Sequence, residues 1–143
     1  MILLDTDHVN ILQSRGASTS VLAGRMTTSH DQDFWVTAIT IEEQMRGWLA
    51  LIHRLHDVPK QIPAYDRLVG LFDFFERWQI APFDQGAVDE FVRLRKLRVR
   101  VGTMDLKIAA IALAKGAMLL SANLRDFEQV PGLQVENWLG QGS

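Results

Sequence analysis

Cysteine is absent from this chain of 143 residues. A disulfide framework, a catalytic thiolate and a cysteine-ligated zinc site are therefore excluded, and the composition favours a reducing compartment. The four histidines do not show the spacing of metal ligands. A site for a soft metal is thus not indicated, and the histidines are assigned no role.

Long apolar runs are also lacking. The longest, at residues 108–114, has a lysine on either side and is far shorter than the roughly 20 residues of a membrane-spanning helix. The opening residues MILLD contain neither the basic region nor the long apolar stretch of a secretory signal. We therefore expect a soluble, cytoplasmic protein that does not contact a membrane.

The chain also lacks a strong net charge of either sign, because its formal net charge is −2. A protein with this balance does not hold nucleic acid by bulk electrostatics, so any such contact has to be local. Apolar residues make up 48% of the chain, which is enough for one continuous core. We expect a single domain over residues 1–138 and a flexible C-terminal tail at residues 139–143.

Short apolar segments alternate along the chain with longer stretches of helical periodicity. Strands are predicted at residues 2–4, 34–38, 79–81, 118–120 and 133–135. Helices are predicted at residues 7–13, 17–26, 41–55, 65–76, 86–97 and 103–115. This alternation predicts a three-layer α/β/α fold with a mostly parallel sheet of about five strands. In such a sheet, ligands bind at the carboxyl ends of the strands.

Four acidic residues follow a predicted strand or lie in an early helical turn: Asp5, Glu43, Asp105 and Asp126. Each also has a structural interpretation, because acids at these positions cap helices or favour the helix dipole. In a parallel sheet these positions can share one rim, where clustered carboxylates repel one another unless a cation neutralises them. Oxygen ligands favour Mg²⁺ or Mn²⁺ as that cation.

Glu43 shows both interpretations most clearly. Thr40 is the predicted N-cap of the helix at residues 41–55, and Glu43 would complete a capping box with it. Glu43 and Gly47 share a helix face, and a glycine inside a helix suggests that another backbone approaches closely there. Glu42 is a competing carboxylate that spacing alone does not exclude.

Four sequence segments carry a resemblance to a known family: LLDTD at 3–7, ITIEEQMRG at 39–47, MDLKIAA at 104–110 and SANLRDF at 121–127. Together they resemble a PIN domain, in particular the VapC-like ribonuclease toxins of bacterial type II toxin–antitoxin pairs. The closing residues VPGL and ENW are similar as well. Ser121 stands where threonine is more common, and Gln44 where an apolar residue is more usual. Residues 56–87 carry no family motif.

The resemblance implies a PIN-like fold and a Mg²⁺- or Mn²⁺-dependent endoribonuclease that hydrolyses RNA phosphodiester bonds. It assigns catalysis and metal binding to Asp5, Glu43, Asp105 and Asp126, and it selects Glu43 over Glu42 because the family's glutamate precedes the helix glycine by four. It gives supporting roles to Thr6, Ser121 and Asn123. It further implies a VapB-like antitoxin partner and a homodimer.

A basic segment near the predicted helix at residues 86–97 is a candidate phosphate-binding strip, formed by Arg93, Arg95, Lys96, Arg98 and Arg100. Its cations spread around the helix, which favours an ordinary solvated surface. The four tryptophans lie in apolar patterns and are predicted to belong to the core, not to stack on bases.

Two other functions compete with the nuclease. In a non-catalytic PIN-like binding module, the acids would serve only as helix caps. A phosphatase with an aspartate nucleophile is suggested by the Asp-Thr-Asp that follows the first strand, because the haloacid dehalogenase family begins in this way. His8 and Val9 replace the Gly-Thr that normally follows that pair, which disfavours the phosphatase.

Overall fold

The computed structural model describes residues 1–140, in which five parallel strands form one sheet with the order β3-β2-β1-β4-β5. The strands are β1 (Ile2–Leu4), β2 (Phe34–Thr37), β3 (Gln79–Ala81), β4 (Met118–Leu120) and β5 (Val135–Glu136). The central strand, β1, pairs with β2 on one side and β4 on the other, so that Ile2 lies opposite both Phe34 and Met118. The predicted α/β class and strand number are confirmed.

Helices connect the strands and cover the sheet. They are α1 (Thr6–Leu12), α2 (Val21–Thr28), α3 (Ala38–Arg54), α4 (Ile62–Phe75), α5 (Gln85–Lys96), α6 (Thr103–Lys115) and α7 (Leu124–Phe127). Short 3₁₀ segments at Ala17–Thr19 and Val58–Gln61 precede α2 and α4. Gly116 ends α6 with a positive φ of 62°, the left-handed conformation that glycine adopts without steric cost.

Two apolar clusters pack on opposite faces of the sheet. Leu3 belongs to one cluster and its neighbours Ile2 and Leu4 to the other, because successive side chains of a strand point to opposite faces. Burial of β1 on both faces explains its uninterrupted apolar sequence. All four tryptophans pack in or against these clusters, as predicted.

The start of α3 differs from the prediction. Thr37 is the N-cap, and its hydroxyl accepts a hydrogen bond from the backbone N–H of Thr40 at 3.2 Å. The predicted cap at Thr40 and its capping box with Glu43 are therefore wrong, and Ala38 is helical and not part of β2. Glu43 lies in the second turn of α3, where its side chain is not needed for capping.

The predicted helix at residues 17–26 is interrupted. A 3₁₀ turn over Ala17–Thr19 is followed by Ser20, whose hydroxyl accepts from the backbone N–H of Ala23 at 3.1 Å and caps α2. Serine competes for backbone hydrogen bonds in this way, so it starts a new helix more readily than it continues one. The last strand is displaced from the predicted residues 133–135 to Val135–Glu136.

Packing continues past the predicted domain boundary at residue 138. Leu139 packs against the second apolar cluster, and its N–H donates to Asn137 Oδ1 at 2.9 Å. The end of the predicted tail, residues 141–143, lies outside the described residues. Across residues 1–140, none of the helices combines the length and the apolar character needed to cross a membrane.

Candidate active site

The carboxyl ends of β1 and β4 meet at Asp5. Its backbone N–H donates to Leu120 O at 2.9 Å, which continues the strand pairing by one residue. One carboxylate oxygen accepts from the N–H of Thr6 at 2.7 Å, and the other accepts from the hydroxyl of Ser121 at 2.8 Å. Asp5 therefore caps α1 and at the same time contacts the end of the neighbouring strand.

Asp5 ionises less readily than an isolated carboxyl group. Burial, together with the charge of Asp7 nearby, raises the pKa of Asp5 from 3.8 to about 7, although hydrogen bonds from Ser121 and Thr6 act in the opposite direction. The charge of Asp105 raises it further. The side chain is only 7% exposed. A cation placed beside this carboxylate would offset much of the free-energy cost of ionising it.

Asp7 is a part of the site that the sequence interpretation missed. One of its oxygens accepts from the backbone N–H of Ala122 at 2.8 Å, and the other lies 2.6 Å from Nδ1 of His8. Burial acts to raise the pKa of Asp7, but the hydrogen bonds from His8 and Ala122 outweigh it and hold the pKa below its usual value. Asp7 is thus an ionised neighbour of Asp5. The Asp-Thr-Asp spacing was the available signal.

His8 connects this acid to the C-terminal segment. The imidazole is fully buried, and its Nε2 accepts from the backbone N–H of Trp138 at 3.1 Å. Because Nε2 is an acceptor, the ring proton lies on Nδ1, which donates to Asp7. No local pattern in the sequence pairs His8 with a residue 130 positions away.

Glu43 reaches the site from α3. The hydroxyl of Thr6 lies 3.1 Å from Glu43 Oε2, which ties the start of α1 to this glutamate. Burial raises the pKa of Glu43, and the charge of Asp105 raises it further, while the Thr6 hydrogen bond opposes both. Glu42 forms an exposed ion pair with Arg46 instead. Glu43 is therefore the glutamate that shares the electrostatic field of the other acids.

Gly47 does not have the role that its position suggested. A Cβ atom at Gly47 would meet no atom within 4 Å, so no backbone approaches α3 closely there, and that prediction is wrong. The space above the glycine is open.

Asp105 and Asp126 are joined by Asn123. The Asn123 amide nitrogen donates to Asp105 Oδ2 at 3.1 Å and to Asp126 Oδ2 at 3.0 Å. Asn123 occupies the N-cap position of α7, but its side chain makes no capping hydrogen bond there. Burial raises the pKa of Asp105, and the charges of Asp126 and Asp7 raise it further, while the Asn123 hydrogen bond opposes the shift.

The donor set fits a hard divalent cation. The side chains are carboxylates, supported by hydroxyl and amide groups, and the charge of Asp105 raises the pKa of both Asp5 and Glu43. Within residues 1–140, no three acidic or histidine side chains are close enough to enclose one ion as they stand. Hydrogen bonds from Thr6, Ser121 and Asn123 occupy carboxylate oxygens that would otherwise be available to a metal.

The basic segment after β3 is exposed and partly occupied by local contacts. Arg93 forms an ion pair with Glu90 at 2.8 Å, and the guanidinium of Arg95 lies 4.9 Å from the centre of the Phe91 ring. Lys96, Arg98 and Arg100 are exposed. These contacts favour a solvated helix surface, and an RNA-binding role for the strip stays a prediction.

Comparisons with known proteins show which families and proteins this chain is similar to. A family model of the PIN domain matches residues 2–133. Ribonuclease VapC1 of Rickettsia felis is 28% identical over 138 residues, covering 94% of this chain and 93% of the relative. The tRNA(fMet)-specific endonuclease VapC of Salmonella typhimurium is 27% identical over 94 residues, covering 63% of this chain and 71% of the relative.

Solved structures share the fold at lower sequence identity. DNA-bound VapBC from Salmonella typhimurium matches with a TM-score of 0.72 and 22% identity, covering 96% of this chain and 97% of that chain. VapBC-1 from nontypeable Haemophilus influenzae matches with a TM-score of 0.68 and 22% identity, covering 98% of this chain and 100% of that chain.

Proposed function

The chain belongs to the PIN domain family, and on this premise we propose that it is a divalent-metal-dependent endoribonuclease, the toxin of a VapBC-type toxin–antitoxin pair. The observation that carries the proposal is that burial and neighbouring negative charge raise the pKa of Asp5 after β1, Glu43 on α3 and Asp105 on α6, with the charge of Asp105 acting on both Asp5 and Glu43. The similar ribonucleases of the VapC type support it.

Asp5, Glu43, Asp105 and Asp126 are the residues that would hold Mg²⁺ or Mn²⁺. A bound divalent ion supplies positive charge that activates water and offsets the charge developing on the phosphodiester. Ser121 and Thr6 fix the two oxygens of Asp5, while Asn123 holds the two acids of α6 and α7 beside each other.

The proposed reaction is hydrolysis by water at the phosphorus of RNA. Water forms the new bond to phosphorus and the P–O3′ bond breaks, without attack by the ribose 2′-hydroxyl, so the products carry a 3′-hydroxyl and a 5′-phosphate. Asp7 accepts a hydrogen bond from the backbone N–H of Ala122. This contact holds the loop that carries Ser121 and Asn123 in place. The ionised carboxylate of Asp7 also adds to the negative field that attracts a cation.

The test is to incubate the purified protein with a panel of structured RNAs, with Mn²⁺ or with a chelator. We expect cleavage with Mn²⁺ and none with the chelator or in the Asp5→Asn variant. Full activity in a folded Asp5→Asn protein would refute the assignment of Asp5. Complete inertness of antitoxin-free protein toward RNA would favour a non-catalytic binding module.

The proposal extends to partners and location. Similar solved structures contain VapBC assemblies, which supports a VapB-like antitoxin as partner. We also propose a homodimer and a cytoplasmic location. Co-expression with a candidate VapB-like antitoxin and measurement of the complex mass would test the partner and the stoichiometry together.

A further inference from the structure

A groove of about 360 Å³ lies between α1 and α3, next to the acidic residues. Thr6, whose hydroxyl contacts Glu43, lines the groove together with Asn10, Gln13, Gln44 and Arg54. We call it the α1–α3 groove. Because Thr6 both contacts Glu43 and lines the groove, the groove begins beside the acids, and a strand of RNA bound at the acids would place a neighbouring nucleotide in it.

Three amide side chains form a hydrogen-bonded cluster in the groove. Gln44 is only 9% exposed, and its Nε2 donates to Asn10 Oδ1 at 3.0 Å and to Gln13 Oε1 at 3.0 Å. Its own oxygen accepts from Gln13 Nε2 at 2.8 Å. The buried amide therefore uses its hydrogen-bonding groups to orient the two amides nearer the surface.

The orientation leaves donors facing outward. Asn10 is exposed, and because its oxygen faces Gln44, its Nδ2 is directed away from the cluster, where it donates to no group in residues 1–140. Gln13 retains a second N–H and a second lone pair beyond its bonds to Gln44. Fixed donors and acceptors of this kind match the edges of unpaired bases, which proteins read in single-stranded RNA.

We propose that the α1–α3 groove binds one unpaired nucleobase beside the scissile phosphodiester, with Asn10 and Gln13 reading its edge and Gln44 holding both in place. This inference rests on the proposed ribonuclease function and names the part of the site that selects sequence. Asn10 and Gln13 are thus specificity residues, and Gln44 is a positioning residue.

Other features of the groove suit a nucleotide. Trp48 packs against the second apolar cluster, and its remaining exposed part lines the groove, where it offers an aromatic surface for a base in addition to the core role predicted from the sequence. Nothing lies within 4 Å of a Cβ at Gly47, so a flat ring can approach α3 at that turn. The groove is open along this side of the helix.

Arg54 provides a cation at the far end. It follows Glu43 by eleven positions, which places it on the same face of α3 about 16 Å further along the helix axis. Arg54 is exposed, and the ion pairs in residues 1–140 do not involve it. It is therefore available to a backbone phosphate beyond the one at the acids.

The competing interpretation is that the amides only join α1 to α3. If the cluster is purely structural, substitutions in it should lower the stability of the protein and leave its base preference unchanged. A base-reading cluster predicts a changed preference in a variant that remains folded. Asn10→Ala separates the two, because Asn10 is exposed and the Gln13–Gln44 pair persists without it.

The experiment uses a pool of short single-stranded RNAs, randomised over several adjacent positions and cleaved in the presence of Mn²⁺. Wild type, Asn10→Ala and Gln44→Met are compared by sequencing the products. The matched control is Gln79→Ala, which removes an exposed amide at the start of β3. This residue lies at the amino-terminal end of the strands, whereas the acids lie at their carboxyl ends. Melting temperatures are recorded for all four proteins.

We expect the base preference at one position beside the cut to fall by about tenfold in Asn10→Ala, while RNAs with other bases at that position are still cleaved. Gln44→Met should relax the same position, and Gln79→Ala should match wild type. If wild type cleaves RNA and Asn10→Ala keeps the wild-type preference, the inference is overturned and the proposed function stands.

A binding measurement keeps the two proposals distinguishable. The same pool is bound to Asp5→Asn protein with and without Asn10→Ala, and the retained RNAs are sequenced. Binding with a base preference that Asn10→Ala removes supports the groove, even if wild type cleaves nothing and the nuclease proposal fails. Absence of both binding and cleavage overturns both proposals.

Discussion

At the scale of single residues, Asp5 shows how burial and function oppose each other. Its two oxygens accept hydrogen bonds from Thr6 and Ser121, which hold the carboxylate rigidly at the strand end. The same location removes it from water and sets it beside the ionised Asp7, so that its pKa rises to about 7. An acid in this position binds a proton or a cation more readily than an isolated carboxylate does.

This shift has a defined effect on stability in the absence of metal. The pKa of Asp5 is about 7 in the folded protein and 3.8 in its ordinary environment, so the folded state binds the proton more tightly. The tighter proton binding by Asp5 therefore stabilises the folded state. This stabilisation is complete below about pH 4 and is lost as the pH rises through 7. We expect Asp5→Asn to melt at a higher temperature than wild type at pH 8 in a chelator.

The advantage of Asp5→Asn should shrink as the pH falls toward 4, because wild-type Asp5 is then protonated. Thermal melts of both proteins over this range provide the measurement. A difference in melting temperature that does not vary with pH would contradict the shifted pKa.

His8 is the second residue whose role depends on a distant partner. Replacing it with leucine keeps the apolar volume but leaves the buried N–H of Trp138 without an acceptor and Asp7 without its ring donor. We expect His8→Leu to lower the free energy of unfolding by about 2 kcal/mol. Urea unfolding measures the loss, and His56→Leu, at an exposed position, is the matched control that should change little.

At the scale of elements, several segments could be predicted to within a residue or two. The bounds of β1, β3, β4 and α6 agree with the sequence pattern, because each is a short apolar run or a periodic stretch closed by a clear signal such as Gly116. The cap of α3 could not be assigned in this way. Thr37 and Thr40 have the same capping chemistry, and the end of β2 decides between them.

The cap itself can be tested. Thr37→Ala removes the acceptor for the N–H of Thr40, which is buried, and should cost about 1 kcal/mol of unfolding free energy. Thr37→Ser keeps the hydroxyl and should recover most of that loss. Urea unfolding of the two variants gives the comparison, and equal stability of Thr37→Ala and wild type would show that the helix does not depend on this cap.

At the scale of the whole molecule, the site depends on contacts that connect the two ends of the chain. The sequence identified Asp5, Glu43, Asp105 and Asp126 as candidates because each follows a strand or lies near a helix start, and their assignment as metal ligands stays a prediction. Asp7 and His8 were missed because their partners, Ala122 and Trp138, are more than a hundred positions away. Local patterns carry no information about such pairs.

The prediction of one domain over residues 1–138 also stays a prediction. Its physical basis is that the two apolar clusters share the same sheet, with adjacent residues of β1 contributing to both.

The central claim is that acids from distant parts of the chain hold one divalent cation, and calorimetric titration of Mn²⁺ tests it most directly. Wild type, Asp5→Asn and Asp105→Asn are titrated at pH 7.5, with Asp89→Asn, which changes an exposed acid on α5, as the matched control. We expect wild type and Asp89→Asn to bind Mn²⁺ alike, and each of the other variants to bind at least about tenfold more weakly. Equal affinity in all four proteins would contradict the account.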